Sequence, residues 1–170
     1  ARGGPAVRRV RVPGHPERSP SICELVTQKG LPVVKWSDVG DALEPLPDDA
    51  VLVVDTIGQL QRFYAACDVA FVGGSLVPHG GQNMLEPAAL GRAVLFGPHT
   101  ANFQRDVESL LAADAVVQVE DRRRFEVQLE YLLRDVEKCQ QLGERARRVI
   151  TQNQGATART LDLVADLVGS

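Results

Sequence analysis

The chain lacks several features that define large functional classes. Its three cysteines, Cys23, Cys67 and Cys139, are widely spaced and include no Cys-x-x-Cys pair, so neither a disulfide framework nor a zinc site is expected. They are predicted to be buried small apolar residues. No stretch approaches about 18 consecutive apolar residues, and no charged-then-apolar signal pattern opens the chain. We therefore expect a soluble chain without a membrane anchor or an export signal.

An excess of positive charge is also absent. The formal net charge is -3, so no overall field attracts nucleic acid or anionic lipid, and nucleic-acid binding is not expected. The 170 residues, 44% hydrophobic and 24% charged, have the composition of an ordinary globular protein with one sizeable core. We predict a single domain over residues 1–170. Since the first residues show no clear starting unit, this domain is expected to belong to a larger polypeptide.

Apolar runs of strand length alternate with segments of helical periodicity. Strands are predicted at residues 7–12, 31–36, 50–54, 69–72, 93–96 and 116–119. Helices lie between them, the first capped by Ser19 and ended by Gly30, whereas residues 37–49 are predicted to be a loop. From Asp121 onward the pattern is helical, with a break at Gly155. This alternation predicts an α/β fold, a Rossmann-like parallel sheet of about six strands flanked by helices.

Ligands of such folds bind at the carboxyl ends of the strands. The richest loop there runs from Gly73 to Glu86, with glycines at 73, 74, 80 and 81 that allow close backbone approach. It favours an anion or nucleotide site at the helix that starts near Asn83. The alternative is a capping box, in which Asn83 accepts from the first turn and Glu86 reaches back.

Other polar residues near this edge leave two interpretations open. His15, His79 and His99 fall in loops and are either solvated or in contact with a ligand, but no carboxylate or thiol spacing makes them a metal site. Asp55 or Thr56 can cap the next helix. Alternatively, the base of a ligand packs on the exposed backbone of Ile57 and Gly58, which follow them.

A basic run, Arg122 to Arg124, is predicted to be a solvated face, with contact to a membrane surface as the alternative.

No Ser-His-Asp, paired-carboxylate or Cys-His arrangement can be assembled from the sequence. The chain therefore offers a binding edge and no catalytic group.

Three segments resemble one family of enzymes. PGHPER at residues 13–18, DTIGQLQRFYAACDVAFVGGSLVPHGGQNMLEPAALGRAVLFGPHTANFQ at 55–104 and NQGA at 153–156 are similar to the 3-deoxy-D-manno-octulosonic acid (Kdo) transferases of Gram-negative bacteria. The order and spacing of GGSLV, GG-x-N, LEPA and GPH-x-x-NF make the likeness specific. It implies the C-terminal, donor-binding half of a two-Rossmann-domain (GT-B) glycosyltransferase with CMP-Kdo as donor and no metal.

The resemblance also implies which residues bind CMP. The matching positions are Pro13, Gly14, Ile57, Gly58, Gln59, Asn83, Met84, Leu85 and Glu86. Glu86 is expected to accept hydrogen bonds from the ribose hydroxyls, with Asn83 and the helix start near the phosphate.

Three positions depart from the family pattern: Gly14 replaces an arginine, Gln59 a glutamate and Met84 a proline. If that arginine makes a charge-assisted bond, the first change weakens donor binding by roughly 1.5 to 3 kcal/mol.

The implied function is transfer of Kdo from CMP-Kdo to a lipid A precursor, in lipopolysaccharide core biosynthesis at the cytoplasmic face of the inner membrane. The acceptor site, the catalytic glutamate and the membrane anchor are expected in an N-terminal domain outside this chain, which is expected to be inactive alone. Two alternatives remain: a related transferase that uses a UDP-sugar or GDP-sugar, and a noncatalytic α/β binding or interaction module.

We predict that the isolated chain self-associates or is poorly stable. The resemblance implies that the first strand-helix unit of the donor domain is missing, and such a first strand normally lies in the middle of the sheet. Its loss exposes backbone groups, and the strand at residues 7–12 is the candidate patch, since its alternation of Val7, Val10 and Val12 with arginines suits one buried face and one wet face. Light scattering tests this: a monodisperse monomer that melts cooperatively at about 45 to 65 °C would contradict it.

Overall fold

A computed structural model describes residues 9–40, 47 and 49–168, with side chains described as far as residue 154. The chain divides into two compact units, residues 1–63 and 64–170. Each unit contains a parallel three-stranded sheet with helices. The α/β class, the parallel pairing and the number of strands are therefore confirmed.

The first unit has a sheet in the order β1-β3-β2. Its strands are β1 (Arg9–Arg11), β2 (Val33–Lys35) and β3 (Val51–Val53), and its helices are α1 (Ser19–Gln28) and α2 (Trp36–Val39). A 3-10 turn, Pro16–Arg18, leads directly into α1. The central strand β3 is wholly buried, because it has a hydrogen-bonded neighbour on each side.

The core of the first unit is built around Trp36. This side chain packs edge-on against Phe63, with ring centroids 5.1 Å apart, and contacts a cluster that includes Leu52 and Val54. Residues from 37 were predicted to be a loop, but burial of Trp36 stabilises a helical turn, α2, up to Val39. Residues 41–46 and 48 of that predicted loop lie outside the described residues.

The second unit has a sheet in the order β4-β5-β6. Its strands are β4 (Val69–Val72), β5 (Ala93–Phe96) and β6 (Val117–Gln118). Its helices are α4 (Leu85–Ala89), α5 (Gln104–Ala112), α6 (Arg122–Arg134) and α7 (Val136–Val168), and α3 (Leu60–Ala66) carries the chain into it. A 3-10 turn, Ala101–Phe103, precedes α5.

Strand β5 explains the uninterrupted apolar run at residues 93–96. Leu95 faces a core cluster with Leu132 and Leu142, whereas Phe96 faces a second cluster with Met84 and Leu110. Both faces of the strand are thus covered, and apolar residues are required at every position.

Burial of the cysteines is confirmed for only one of the three. Cys139 is buried, whereas Cys23 and Cys67 are half-buried, and all three are free thiols. Burial raises the pKa of the Cys67 thiol to about 11, which keeps the sulfur protonated at neutral pH.

Four details of the predicted fold are wrong. The strands form two sheets of three rather than one sheet of six, because periodicity identifies strands but not their partners. Ser19 does not cap α1, because the preceding turn runs directly into the helix, which makes Ser19 its first residue and leaves Arg18 at the N-cap position. Val10 is 41% exposed, because β1 is an edge strand. Helix α7 continues through Gly155, where one glycine costs only about 1 kcal/mol.

Val7, also assigned to the buried face of the first strand, lies outside the described residues. None of the helices in the described part of the chain combines the length and the apolar character needed to cross a membrane.

A glycine contact fixes the position of α7 against α4. A Cβ atom at Gly143 would overlap the carbonyl oxygen of Gly91, the residue that ends the turn after α4. The two backbones therefore approach more closely than any other residue type at position 143 permits.

We predict that Gly143→Ala destabilises the protein. In an exposed helix this change gains up to about 1 kcal/mol of helix propensity, but forcing a methyl group into a packed contact costs about 1 to 3 kcal/mol. The melting temperature should fall by a few degrees, whereas Gln140→Ala on the exposed face of α7 should leave it unchanged or raise it. A calorimetric melting temperature for Gly143→Ala above that of the unmodified chain would contradict this packing.

Candidate functional site

A buried hydroxyl joins the loops that follow β4 and β5. Ser75 is fully buried, its Oγ donates to the Val72 carbonyl at 2.6 Å and it accepts from the Gly97 N–H at 2.8 Å. The Ser75 carbonyl in turn accepts from the His99 N–H at 2.9 Å. The carboxyl ends of these two strands therefore meet at one edge of the second unit, as expected.

The glycines of the loop serve this packing. At Gly81, φ is +71° and a Cβ would lie 2.9 Å from the His99 carbonyl oxygen; at Gly80, φ is +80° and a Cβ would lie 3.1 Å from Asn102 Nδ2. We expected these glycines to admit a ligand. The structure uses their small size to bring two loops of the same chain together.

Asn83 and Glu86 are hydrogen-bonded to each other at the start of α4. Asn83 Oδ1 accepts from the Leu85 N–H at 3.0 Å, and Asn83 Nδ2 donates to Glu86 Oε1 at 3.1 Å. The capping interpretation is therefore partly correct, but Glu86 reaches the side-chain amide of Asn83 instead of its backbone N–H. The result is a half-buried carboxylate held in one orientation by one of its oxygens.

Tyr64 belongs to the surroundings of Glu86. Burial, and then the negative charge of Glu86, raises the pKa of the Tyr64 phenol to about 12. The phenol is therefore protonated at neutral pH and is a donor near the carboxylate. Sequence reasoning missed Tyr64, since it assigned this position to the apolar face of α3.

A surface cavity of about 260 Å³ adjoins Glu86. Its polar lining combines residues from three helices and the turn before α4. These are Asn83, Glu86, Asp106, Asn153 and Gln154. Asn153 and Gln154 begin the NQGA motif, so two motifs about 70 residues apart in sequence meet at one cavity.

In the first unit, the predicted site residues follow β1 and β3. Ile57 is 84% exposed, Gly14 is exposed and Pro13 is half-buried. The carbonyl of Gln59 accepts from the Phe63 N–H at 3.2 Å in the first turn of α3, and Gly58 is exposed. An exposed isoleucine beside a glycine gives this loop an apolar surface.

Asp55 does not use its carboxylate to cap α3. It accepts from the hydroxyl of Ser37 at 2.7 Å and from the Ser37 N–H at 3.0 Å. Burial has the largest single effect and raises the pKa of Asp55, but the hydrogen bonds and the nearby Lys35 together outweigh it, so the pKa is lowered overall. Asp55 thus braces the end of β3 against α2.

The predicted CMP-binding residues are divided between the units: Pro13, Gly14, Ile57, Gly58 and Gln59 in the first, and Asn83, Met84, Leu85 and Glu86 in the second. Met84 is fully buried in the core, so it presents no surface to a ligand in this structure. His15, His79 and His99 are exposed. The described residues bring together no group of three or more His, Cys, Asp and Glu side chains suited to a metal ion.

The basic run at the start of α6 is exposed. Arg122 pairs with Glu126 at 2.8 Å, and Asp121 caps the helix by accepting from the Arg124 N–H at 2.7 Å.

We predict that Ser75→Ala destabilises the protein by about 1 to 3 kcal/mol, because it leaves the buried Gly97 N–H without an acceptor. Thermal melts should show a clear decrease for Ser75→Ala. The control is Ser21→Ala, which removes an exposed hydroxyl bonded to the Arg18 carbonyl and should have little effect. Equal melting temperatures for the two variants would show that the loops do not depend on Ser75.

Comparison with known proteins now adds to this geometry. No family model matches the chain. It is 37% identical over 158 residues to 3-deoxy-D-manno-octulosonic acid transferase of Bordetella pertussis, covering 93% of this chain and 36% of that protein. The enzyme of the same name from Haemophilus influenzae is 36% identical over 156 residues, covering 90% and 35%. The chain thus spans about a third of the length of these curated relatives.

This chain covers a larger share of one solved structure. The crystal structure of the C-terminal CMP-Kdo binding domain of WaaA from Acinetobacter baumannii superposes with a TM-score of 0.75 at 31% identity, covering 83% of this chain and 72% of that domain. The sequence similarity and the shared fold both extend over most of this chain and most of that domain. This chain therefore belongs to the 3-deoxy-D-manno-octulosonic acid transferase family.

Proposed function

We propose that this chain is the CMP-Kdo-binding part of a Kdo transferase, with residues 1–170 forming a single donor-binding domain. The observation that carries the proposal is the likeness to the Acinetobacter domain, which is named for binding CMP-Kdo. The proposal requires a site for a nucleotide with a ribose diol and a phosphate. The site residues can be compared with that requirement one group at a time.

Glu86 suits the ribose. An ionised carboxylate accepts hydrogen bonds from hydroxyl groups, and such charge-assisted bonds are stronger than neutral ones. Asn83 holds one carboxylate oxygen at 3.1 Å, which fixes the orientation of the group before a ligand arrives. A pre-oriented acceptor loses less entropy on binding. We therefore assign the ribose contact to Glu86 and the orientation of that carboxylate to Asn83.

The predicted residues of the first unit fit the cytosine base, but they fit the phosphate less well. The exposed Ile57 and the adjoining Gly58 offer an apolar surface and open backbone against which cytosine can pack, with Gln59 next to them. By the family resemblance we assign Pro13 and Gly14 to the nucleotide-binding surface, but Gly14 supplies no charge. We expect weaker donor binding than in relatives with an arginine there.

In the complete transferase, a hydroxyl of a lipid A precursor attacks the anomeric carbon of Kdo and forms the new C–O bond. The bond from that carbon to the phosphate oxygen breaks, and CMP leaves with the electron pair. The proton of the hydroxyl passes to a base outside this chain. The role of this chain is to bind and orient the donor, so we expect it to transfer no sugar alone. No metal is proposed.

For the whole protein, we propose a lipid A precursor as the acceptor and a location at the cytoplasmic face of the inner membrane. The matched residues make up only about a third of these relatives, so most of the relatives' length has no counterpart in this chain.

We predict that Glu86→Ala lowers the affinity for CMP by about 1.5 to 3 kcal/mol, because the ribose loses a charged acceptor. Titration calorimetry on the purified chain measures this directly. Glu144→Ala, at an exposed position of α7, is the matched control and should bind CMP as the unmodified chain does. Unchanged CMP affinity in a folded Glu86→Ala variant would leave Glu86 with a structural role only.

A further inference from the structure

The cavity beside Glu86 has a charge pattern that restricts its ligand. Its polar lining consists of two carboxylates, Glu86 and Asp106, and the amides of Asn83, Asn153 and Gln154. No Lys, Arg or His is among the described residues that line it. Two carboxylates repel a phosphate group, whereas carboxylate and amide oxygens are good acceptors for hydroxyl groups. The cavity therefore suits a neutral group that is rich in hydroxyls.

The size of the cavity agrees with this. Its volume of about 260 Å³ is below the range of about 300 to 1,000 Å³ that is typical of pockets for whole small-molecule ligands. One sugar ring fits such a space better than a complete nucleotide does.

The three helices that line the cavity are held in fixed positions. The Gly143–Gly91 contact places α7 against α4, and Arg145 of α7 pairs with Asp114, just after α5, at 3.1 Å. Asp106 lies in the first turn of α5, and Gln154 lies three helical turns beyond Gly143. The lining is thus set by backbone packing before a ligand binds.

We propose that Gln154 and Asp106 are further ribose-binding residues, which together with Glu86 select a nucleotide by its sugar hydroxyls. The inference rests on the proposed CMP site and adds α5 and α7 to it. Gln154 is exposed and Asp106 is half-buried, so both can reach a ligand without unfolding of the core. The NQGA motif then has a binding role through Gln154.

The test compares CMP with its 2′-deoxy and 3′-deoxy analogues by titration calorimetry on the 170-residue chain. The unmodified chain should bind CMP and should bind at least one analogue more weakly. Gln154→Ala should weaken CMP binding about 3- to 10-fold, and Asp106→Asn about tenfold or more, with little change for the analogue that lacks the contacted hydroxyl. Gln152→Ala is the matched control, because residue 152 is exposed and about 200° around the helix from Gln154.

The outcomes separate this inference from the function on which it rests. Selective loss of CMP affinity in the Gln154 and Asp106 variants, with the control unchanged, supports ribose recognition. An equal loss for CMP and both analogues, or no loss, overturns it while the CMP site stands. If the folded, unmodified chain binds no CMP, the proposed function itself fails.

Discussion

The paired hydrogen bonds of the Ser75 hydroxyl are the constraint on which the carboxyl edge of the second unit's sheet depends. They join the loop after β4 to the loop after β5 at a fully buried position. With the loops joined, Gly81 lies against the His99 carbonyl, and two residues later the chain reaches Asn83, just before α4. The orientation of Glu86 therefore follows from a contact between backbones that Ser75 holds together.

The family motifs acquire a physical meaning from this arrangement. GGSLV and GPH-x-x-NF supply the hydroxyl, the N–H and the small residues that let the loops meet. LEPA supplies the carboxylate that this packing presents, and its proline and first alanine are buried beneath it. Much of the specificity of the motifs thus serves to hold one acidic side chain in place.

The sequence-based predictions were most accurate where a single physical cause determines the local structure. Strands β4 and β5 match their predicted residues because sheet burial on both faces requires continuous apolar runs. Helix α2 was missed because the burial of Trp36, a tertiary effect, decides it. Glu86 was singled out through motif resemblance, whereas Tyr64, Asp106 and Gln154 were not, because each comes near Glu86 only in the folded chain. Helix α7 was predicted from its periodicity, but the NQGA motif was the one sequence signal for Gln154, and it carried no assigned role.

The central claim is that this chain recognises CMP, and ligand-dependent thermal stability tests it most directly. A ligand that binds only the folded chain raises the melting temperature with concentration, according to its dissociation constant. Melts in increasing CMP, UMP, GMP, UDP and GDP compare cytidine with the nucleotides of other sugar donors under identical conditions. The account predicts a progressive rise with CMP and little or none with the others. A larger rise with UDP or GDP, or no rise with any nucleotide, would contradict it.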